Sequence, residues 1–556
     1  MNKKRILTIC MLLASAWTTL HAQSFETAAE AVKNMGVGWN LGNTLDANDG
    51  KECPDIVQSE TMWGQPVTKP ELMKMMKEAG FGAIRVPVTW YPHMDENDKV
   101  DPVWMARVHE VVDYVLNNGM YCILNVHHDT GEGKQWLHAS MNTYNNVKAR
   151  YEYLWKQIAE EFKDYGEKLL FESYNEMLDE YNSWCFASYA SPSTYNATSA
   201  ADSYEAINKY AQSFVDVVRA TGGNNAKRNL IVNTYGACSG GGNWNDHLQD
   251  PLKEMKLPTD ETAGNGHLAF EVHAYPTLAD GKGETDDFIK QLDTYLLTKA
   301  PVILGEWGSS NVDAAESDYM KDPVKYLDFV KYLVQKTKAK NIATFYWMGL
   351  SDGQYRSQPA FNQPDIAKAI VEAYYGDASP FEYPTIESGG GALTYFEGEK
   401  ALGWGNGINI GNSAFGAFDH TMQLILHYKM VITDDKFSPD IQLYYGNWGE
   451  MPSFIIDGKT YNGDYSPGGN VGDEYITTIT FDETTYTKLT QLGLVIHGVN
   501  FTITKIVLQG NSSNITPIIT THPTDQRIYN LNGQQVRNPQ RGIYIKNGKK
   551  YITKRL

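Results

Sequence analysis

At 556 residues the chain is longer than one hydrophobic core normally supports, so a large domain with smaller modules is expected. Its 66 acidic against 48 basic side chains leave a net charge of −18, which repels phosphate backbones and anionic membrane surfaces and argues against nucleic acid as a partner. The 13 Trp and 35 Tyr are enough for a core with rings left over for a binding surface, as sugar recognition requires.

The N-terminus carries Lys3, Lys4 and Arg5, an apolar run over 6–17, then Leu20-His21-Ala22-Gln23. This is the layout of a secretory signal peptide over 1–22, with cleavage expected after Ala22, and the run is too short to span a membrane. A secreted protein, extracellular or at the cell surface, is therefore expected. Loss of Cys10 with the signal leaves Cys53, Cys122, Cys185 and Cys238. These are too scattered for a disulfide scaffold or a zinc site; Cys122 reads as core, and the other three leave room for one bridge.

Over 25–375, short β-branched and aromatic runs alternate with longer amphipathic stretches. The runs are 36–43, 82–90, 121–129, 169–177, 229–236, 268–276, 302–308 and 342–349. Helices are expected at 69–79 behind Thr68 as cap, 103–118, 147–165, 204–221 and 323–338. Eight βα units imply an α/β fold, a (β/α)8 TIM barrel. An open doubly wound sheet is the alternative, but no Gly-rich phosphate loop follows any strand.

Ala378-Ser379-Pro380 and Ser388-Gly389-Gly390-Gly391 mark a linker over 376–391, beyond which helical periodicity disappears. Residues 392–509 alternate apolar and polar positions, as in Met422-Gln423-Leu424-Ile425-Leu426, and read as a β-sandwich. Its Trp404, Tyr444, Tyr445 and Trp448 either stack on sugar rings, making it a carbohydrate-binding module, or belong to its core. A second linker covers 510–524. The tail, 525–556, is basic through Arg537, Arg541, Lys546, Lys549, Lys550, Lys554 and Arg555, with strand signals around Asn532-Gly533 and Asn547-Gly548.

In such a barrel the chemistry lies at the C-terminal ends of the strands. There the sequence supplies Arg85, His127, Asn175-Glu176, His273, Tyr275, Glu306 and Trp347. Glycoside hydrolysis needs a proton donor at the leaving oxygen and a carboxylate on the other side of the sugar, and Glu176 and Glu306, after the fourth and seventh runs, can face one another. A separation of roughly 5 Å would imply retention through a covalent intermediate. Glu172 shares the strand of Glu176 but lies deeper. Arg85 and Tyr275 are placed to keep Glu306 ionised. His127-His128-Asp129 raises the question of a metal, yet a divalent site needs three or four convergent ligands and His127 already belongs with the acid–base set; neither metal nor organic cofactor is expected, and His128 is expected to line the cleft.

The ordered segments Gly38-Trp39-Asn40-Leu41-Gly42-Asn43-Thr44-Leu45-Asp46, Ile84-Arg85-Val86-Pro87-Val88, Asn125-Val126-His127-His128, Tyr174-Asn175-Glu176, Val272-His273-Ala274-Tyr275 and Leu304-Gly305-Glu306-Trp307-Gly308 resemble glycoside hydrolase family 5 over about 25–375. The resemblance implies that Glu176 is the acid/base and Glu306 the nucleophile, and that Asn175 bonds the sugar 2-hydroxyl. His273 and Tyr275 would tune the glutamates, Arg85 and His127 would support the nucleophile, and Trp347 would be a stacking platform. Met177 departs from the family's usual Pro after the acid/base. With Glu60-Thr61-Met62-Trp63-Gly64, the opening motif looks most like the endoglucanase and xyloglucanase branch, which places Asn43 and Trp63 near the non-reducing side of the cleft. A monomeric endo-β-1,4-glucanase acting on β-glucan polysaccharide is the implied function. A xyloglucan-specific enzyme or β-mannanase on the same barrel, and a non-catalytic glycan-binding protein, are the alternatives. The tail around Gly542-Ile543-Tyr544-Ile545 resembles the C-terminal sorting domains of type IX secretion.

Overall fold

The computed structural model describes residues 25–130 apart from 52 and 54, 136–183, 195–242, 245–308, 318–376, 381–385, 392–403, and 407–510 apart from 417, 433, 435 and 447, with 528–529, 542–546 and 549–553 in the tail. The signal segment, Cys185, Trp404, Asn532-Gly533, Asn547-Gly548 and most of both linkers lie outside the described residues.

Eight parallel strands close into a barrel in sequence order: β1 (Val37–Asn40), β2 (Ala83–Val86), β3 (Tyr121–Asn125), β4 (Leu169–Glu172), β5 (Leu230–Cys238), β6 (Leu268–Ala274), β7 (Val302–Trp307) and β8 (Ala343–Tyr346), with β8 pairing back to β1. Each expected run coincides with one strand, β5 continuing two residues past its run to Cys238. The two faces of the strands enter separate cores because side chains alternate with period two. Outward residues such as Trp39, Ile84, Leu124, Phe171, Val232, Phe270 and Leu304 pack under the helices. Inward residues Ala83, Tyr121, Ile123, Leu170, Ile231, Ala269, Ile303, Ala343 and Phe345 fill the lower barrel, and helix α1 (Ala28–Met35) packs Ala28, Ala31, Val32 and Met35 against them. The next inward positions towards the strand ends are Asn40, Arg85, Asn125, Glu172, Asn233 and Glu271, all buried. An apolar floor thus carries a polar layer.

One local irregularity aims β7 at the site. Glu271 pairs with Ile303 and Val272 with Leu304, but His273 then pairs with Glu306, so β7 holds one extra residue, Gly305. Such a bulge re-aims the next side chain. Strict alternation would send Glu306 outward; after the bulge it lies inside, beside His273. The extra residue has to be glycine, because a Cβ there would sit 1.8 Å from Glu271 Oε1.

Helices α2 (Ile56–Thr61), α3 (Pro70–Ala79), α4 (Pro102–Asn117), α5 (Met141–Glu161), α6 (Ala197–Ala220), α7 (Asp250–Glu254), α8 (Gly281–Tyr295), α9 (Pro323–Ala339) and α10 (Pro364–Tyr375) surround the barrel. Three differences from the expected elements have local causes. Thr68 does not cap α3: Pro70 takes the first helical position, Lys69 is the N-cap without a side-chain bond, and the Thr68 N–H donates to Glu60. α5 starts at Met141 rather than 147, capped by Ser140, and α6 at Ala197 rather than 204, capped by Asn196. α5 opens on Met141-Asn142-Thr143 and α6 on Ala197-Thr198-Ser199, stretches without the run of large apolar residues that shows a helical period.

Beyond the barrel, a six-stranded antiparallel sheet, β14-β13-β16-β11-β18-β9, and a four-stranded one, β10-β17-β12-β15, share a second core to form a β-sandwich. β11 (Gln423–Met430) alternates half-buried and buried positions and pairs with β18 (Phe501–Gln509), Leu424 opposite Leu508. The other strands are β9 (Ala392–Ala401), β10 (Ile408–Ile410), β12 (Asp440–Tyr445), β13 (Ser453–Ile456), β14 (Lys459–Asn462), β15 (Asp464–Tyr465), β16 (Glu474–Thr480) and β17 (Leu494–Val499). Contrary to expectation, helical structure does not end at the linker: α11 (Glu483–Leu492), capped by Asp482, buries Tyr486 and Leu489. Its short, Thr-rich sequence hides the period. Tyr445 is a core residue, while Tyr444 and exposed Trp448 lie 5.4 Å apart.

Barrel and sandwich belong to one compact unit ending at Asn511. In the second unit, β19 (Ile528–Tyr529), β20 (Gly542–Lys546) and β21 (Lys549–Thr553) form an antiparallel sheet, with Lys546 opposite Lys549. Cys53, Cys122 and Cys238 are free and buried, so no bridge joins them. No helix among the described residues is long and apolar enough to cross a membrane.

Gly305→Ala is expected to lower stability by about 1–3 kcal/mol through overpacking against Glu271, read as a lower urea midpoint at unchanged slope.

Candidate active site

The polar layer is organised by Arg85. All five of its N–H groups are used: Nε and Nη2 donate to Glu172 at 2.7 and 2.8 Å, Nη1 to Asn40 at 3.1 Å and Glu306 at 2.7 Å, and Nη2 also to Asn175 at 2.8 Å. Glu271 lies 3.3 Å from Nε. A guanidinium with no exposure requires such partners, because an unpaired buried charge costs several kcal/mol. Burial works against the charge, and the surrounding carboxylates hold it far above its usual range.

His273 is the second cation. Its Nδ1 lies 2.7 Å from Glu176 Oε1 and 3.5 Å from Glu306 Oε2, and its Nε2 lies 3.1 Å from Glu271 Oε1. Burial disfavours the imidazolium, but Glu306, Glu176 and Glu271 outweigh it and push the ring up to about 10. As an imidazolium it donates from both ring nitrogens, Nδ1 to Glu176 and Nε2 to Glu271. Among the described residues Glu176, His273 and Glu306 converge within 4.8 Å, as do Asp46, His127 and His128. Asp129, next to the paired histidines in sequence, turns away and accepts from Trp90 N, Tyr91 N and Trp136 Nε1.

Four carboxylates meet these two cations. Burial raises Glu271 to about 8, with the Glu172 charge adding to it. Burial also raises Glu176, and the charge of Glu306 contributes, while His273 opposes the rise. Burial would raise Glu172 too, but Arg85 overcomes this and holds it below its usual value. The cluster therefore favours Arg85 and His273 as cations and Glu172 as a carboxylate, while burial favours the protonated forms of Glu271 and Glu176.

The two glutamates predicted to act together thus share a site with unlike surroundings. Glu306, only 6% exposed at its side chain, accepts from Arg85 on Oε1 and from Tyr275 Oη on Oε2 at 2.7 Å. Glu176 is more open, at 21%. Met177 is buried, and its carbonyl accepts from Gly236 N. A cavity of about 650 Å³ opens beside Glu176, His273 and Tyr275, lined further by Ala237, Cys238 and Leu248.

On the opposite side of the mouth lies an aromatic row. The His127 ring is parallel to Trp347 at 6.0 Å, His128 packs edge-on to His127 at 4.4 Å, and Trp63 packs edge-on to His128 at 5.3 Å. Burial drives His127 well below its usual value and His128 down to about 4, so both rings are neutral. His127 Nδ1 faces Asn125 Nδ2 at 3.0 Å, and its Nε2 stands 3.9 Å from Glu306. Trp347 is half-buried and lies against Gly42, where a Cβ would come within 2.7 Å of the indole. Asn43 adopts φ +60, which Asn tolerates, with its N–H on Asp46.

Glu271, Asn40, Asn125 and Asp46 were not assigned roles from sequence. For Glu271 the signal was present, since a residue two before His273 in a strand must point the same way.

A family profile described as cellulase, glycosyl hydrolase family 5, matches residues 46–352. The chain is 31% identical over 376 residues to endoglucanase A of Clostridium longisporum, covering 62% of this chain and 66% of that protein. It is 33% identical over 326 residues to endoglucanase A of Ruminococcus albus, covering 55% and 81%. Among solved structures, a GH5-4 broad-specificity endoglucanase from an uncultured bacterium is 60% identical with a TM-score of 0.63, covering 65% of this chain and 99% of that one. A Prevotella bryantii family 5 enzyme in complex with a xyloglucan tetradecasaccharide is 40% identical with a TM-score of 0.55, covering 63% and 99%. With its barrel, its paired carboxylates and these relatives, the chain belongs to glycoside hydrolase family 5, the cellulase family.

Proposed function

We propose that the protein is a secreted, retaining endo-β-1,4-glucanase that accepts β-1,4-glucan backbones, including substituted ones such as xyloglucan. The observation that carries this is the convergence of Glu176, His273 and Glu306 within 4.8 Å, with the two carboxylates in opposite environments. A gap of about 5 Å suits direct attack, whereas an inverting pair needs about 6.5–9.5 Å to admit water. The likeness to a broad-specificity endoglucanase and to an enzyme bound to xyloglucan supports a glucan backbone with tolerance for side chains. Secretion is supported by Lys3, Lys4 and Arg5 ahead of the apolar run and by Ala22.

Glu306, its carboxylate aimed by Arg85 and Tyr275, attacks the anomeric carbon. Glu176, whose protonated form is favoured by burial and by the charge of Glu306, gives its proton to the leaving oxygen. A glycosyl ester on Glu306 results. Forming that ester removes the negative charge that raised Glu176, which lowers its proton affinity, and as a carboxylate it then deprotonates the incoming water. Asn175, its carbonyl held by Arg85, has its amide nitrogen to offer the 2-hydroxyl. Trp347 supplies a face for a sugar ring, Trp63 and His128 lie towards the far end of the row, and Asn43 stands beside them through Asp46, which lies 3.7 Å from His128. A purely glycan-binding protein has no use for the unlike environments of the two glutamates.

Glu306→Ala is expected to abolish turnover, with azide restoring it as a glycosyl azide of inverted configuration; recovery only in Glu176→Ala would reverse the two roles. Glu176→Ala should lose about 10²–10⁴-fold in kcat on unactivated glucans. Replacing His273 by Gln removes a positive charge and a donor that lower Glu176, so the alkaline limb of the kcat/KM profile should move to higher pH. A reducing-sugar assay on carboxymethylcellulose, xyloglucan and glucomannan addresses the substrate: activity on the first two supports the glucan reading, and activity on glucomannan alone would replace it with a mannanase.

A further inference from the structure

Trp63 sits on a segment that has little structure of its own. α2 is six residues long, well below the length at which an isolated helix is stable in water, so its position must come from its neighbours. The barrel holds one side. Arg107 forms two hydrogen bonds to buried Glu60, both at 2.9 Å, and Ser59 Oγ lies 3.0 Å from His93 Nε2.

The sandwich holds the other side. Lys400, with a side chain only 5% exposed, ion-pairs with Asp55, the residue whose carboxylate caps α2. Val57 packs against the sandwich core. Asn409 Nδ2 donates to the carbonyl of Met62 at 3.1 Å. The Tyr395 hydroxyl lies 2.9 Å from the Asn409 carbonyl and 3.4 Å from that of Gly64, and it accepts from Gly411 N at 3.3 Å. The backbones of Gly64 and Gly411 touch: a Cβ on Gly411 would lie 2.8 Å from Gly64 Cα. Both chain neighbours of Trp63, Met62 and Gly64, are therefore seated against the sandwich. On its cleft side Trp63 bonds Asn48 O and meets His128 edge-on, with 39% of its surface open.

We infer that the β-sandwich is a structural wall of the substrate cleft, and that Lys400, Tyr395, Asn409 and Gly411 are positioning residues that set Trp63 for the glycone end of a bound β-glucan chain. The functional half of this rests on the proposed glucanase activity; the mechanical half does not. A module tethered only to bring substrate near would leave binding inside the cleft unchanged when its seating is disturbed. A wall would not, because freeing the 55–64 segment restores the conformational entropy that its seating removed, and sugar binding must then overcome it.

Gly411→Val is the clean probe. Gly411 has φ −60 and ψ 152, which a β-branched residue adopts without strain, so the added methyls act on the Gly64 contact. Two measurements on the full chain decide the matter. In Gly411→Val, amide hydrogen exchange over 56–64 should accelerate while that of β2–β7 stays as in the wild type. The gain in kcat/KM between an aryl β-cellobioside and an aryl β-cellotetraoside should fall roughly three- to tenfold, through KM with kcat held, as expected for a loosened aromatic contact. In a Trp63→Ala background the same substitution should add nothing to the kinetics, since both act through one side chain. Unchanged exchange over 56–64, an unchanged chain-length gain, or effects that add to those of Trp63→Ala would each overturn the inference. Lys400→Met, which removes the ion pair without adding bulk, should reproduce the exchange result. If the wild type cleaves neither glycoside, the glucanase reading fails, and exchange still decides whether the sandwich seats the segment.

Discussion

A single buried guanidinium underlies the site. Arg85 projects from β2 into the barrel, where no water can solvate it, and its five N–H groups reach Glu172, Asn40, Asn175 and Glu306. Its presence makes buried carboxylates tolerable there, and their number exceeds what one cation can neutralise. The excess is eased by the carboxylates favouring a proton on His273 and by burial favouring the protonated forms of Glu271 and Glu176. The contrast between the two glutamates is thus a property of the whole layer: Glu306 lies within reach of Arg85 and Tyr275, while Glu176 is farther out, against an imidazolium.

The barrel makes this layer possible by separating its contents along the strand axis. Each inward polar residue stands two positions beyond an inward apolar one: Arg85 beyond Ala83, Asn125 beyond Ile123, Glu172 beyond Leu170 and Glu271 beyond Ala269. The apolar floor supplies rigid packing, and the charged network sits at the mouth, where loops can shape it. The bulge at Gly305 is the exception that brings Glu306 into that layer.

Much of this was legible in the chain. Seven strands fell within the expected runs and β5 overran its run by two residues, to Cys238, because a buried parallel strand reads as a short apolar run between turns. The residues singled out at the strand ends, Arg85, His127, Asn175, Glu176, His273, Tyr275, Glu306 and Trp347, all lie around one mouth. Helix starts were less legible, since the turns that Ser140 and Asn196 cap hold too few large apolar residues to show a period. α1, whose capping box joins Thr27 and Glu30, and α11, which follows Asp482, were not among the expected helices; the four threonines of α11 blur its period.

The sequence by itself determined the alternation of strands and helices and the identity of the polar groups that follow each strand, because residue type and spacing are local properties of the chain. Tertiary structure alone decided which of those groups share charge. Glu271 shares a face with His273 by strand period, but its place beside Arg85 exists only because β2 brings that guanidinium across the barrel. Trp63 is likewise placed by Asn409 and Tyr395, more than 300 positions along the chain. Electrostatic balance and the seating of a short segment depend on distances through space, and those exist only once the barrel has closed and the sandwich has docked against it.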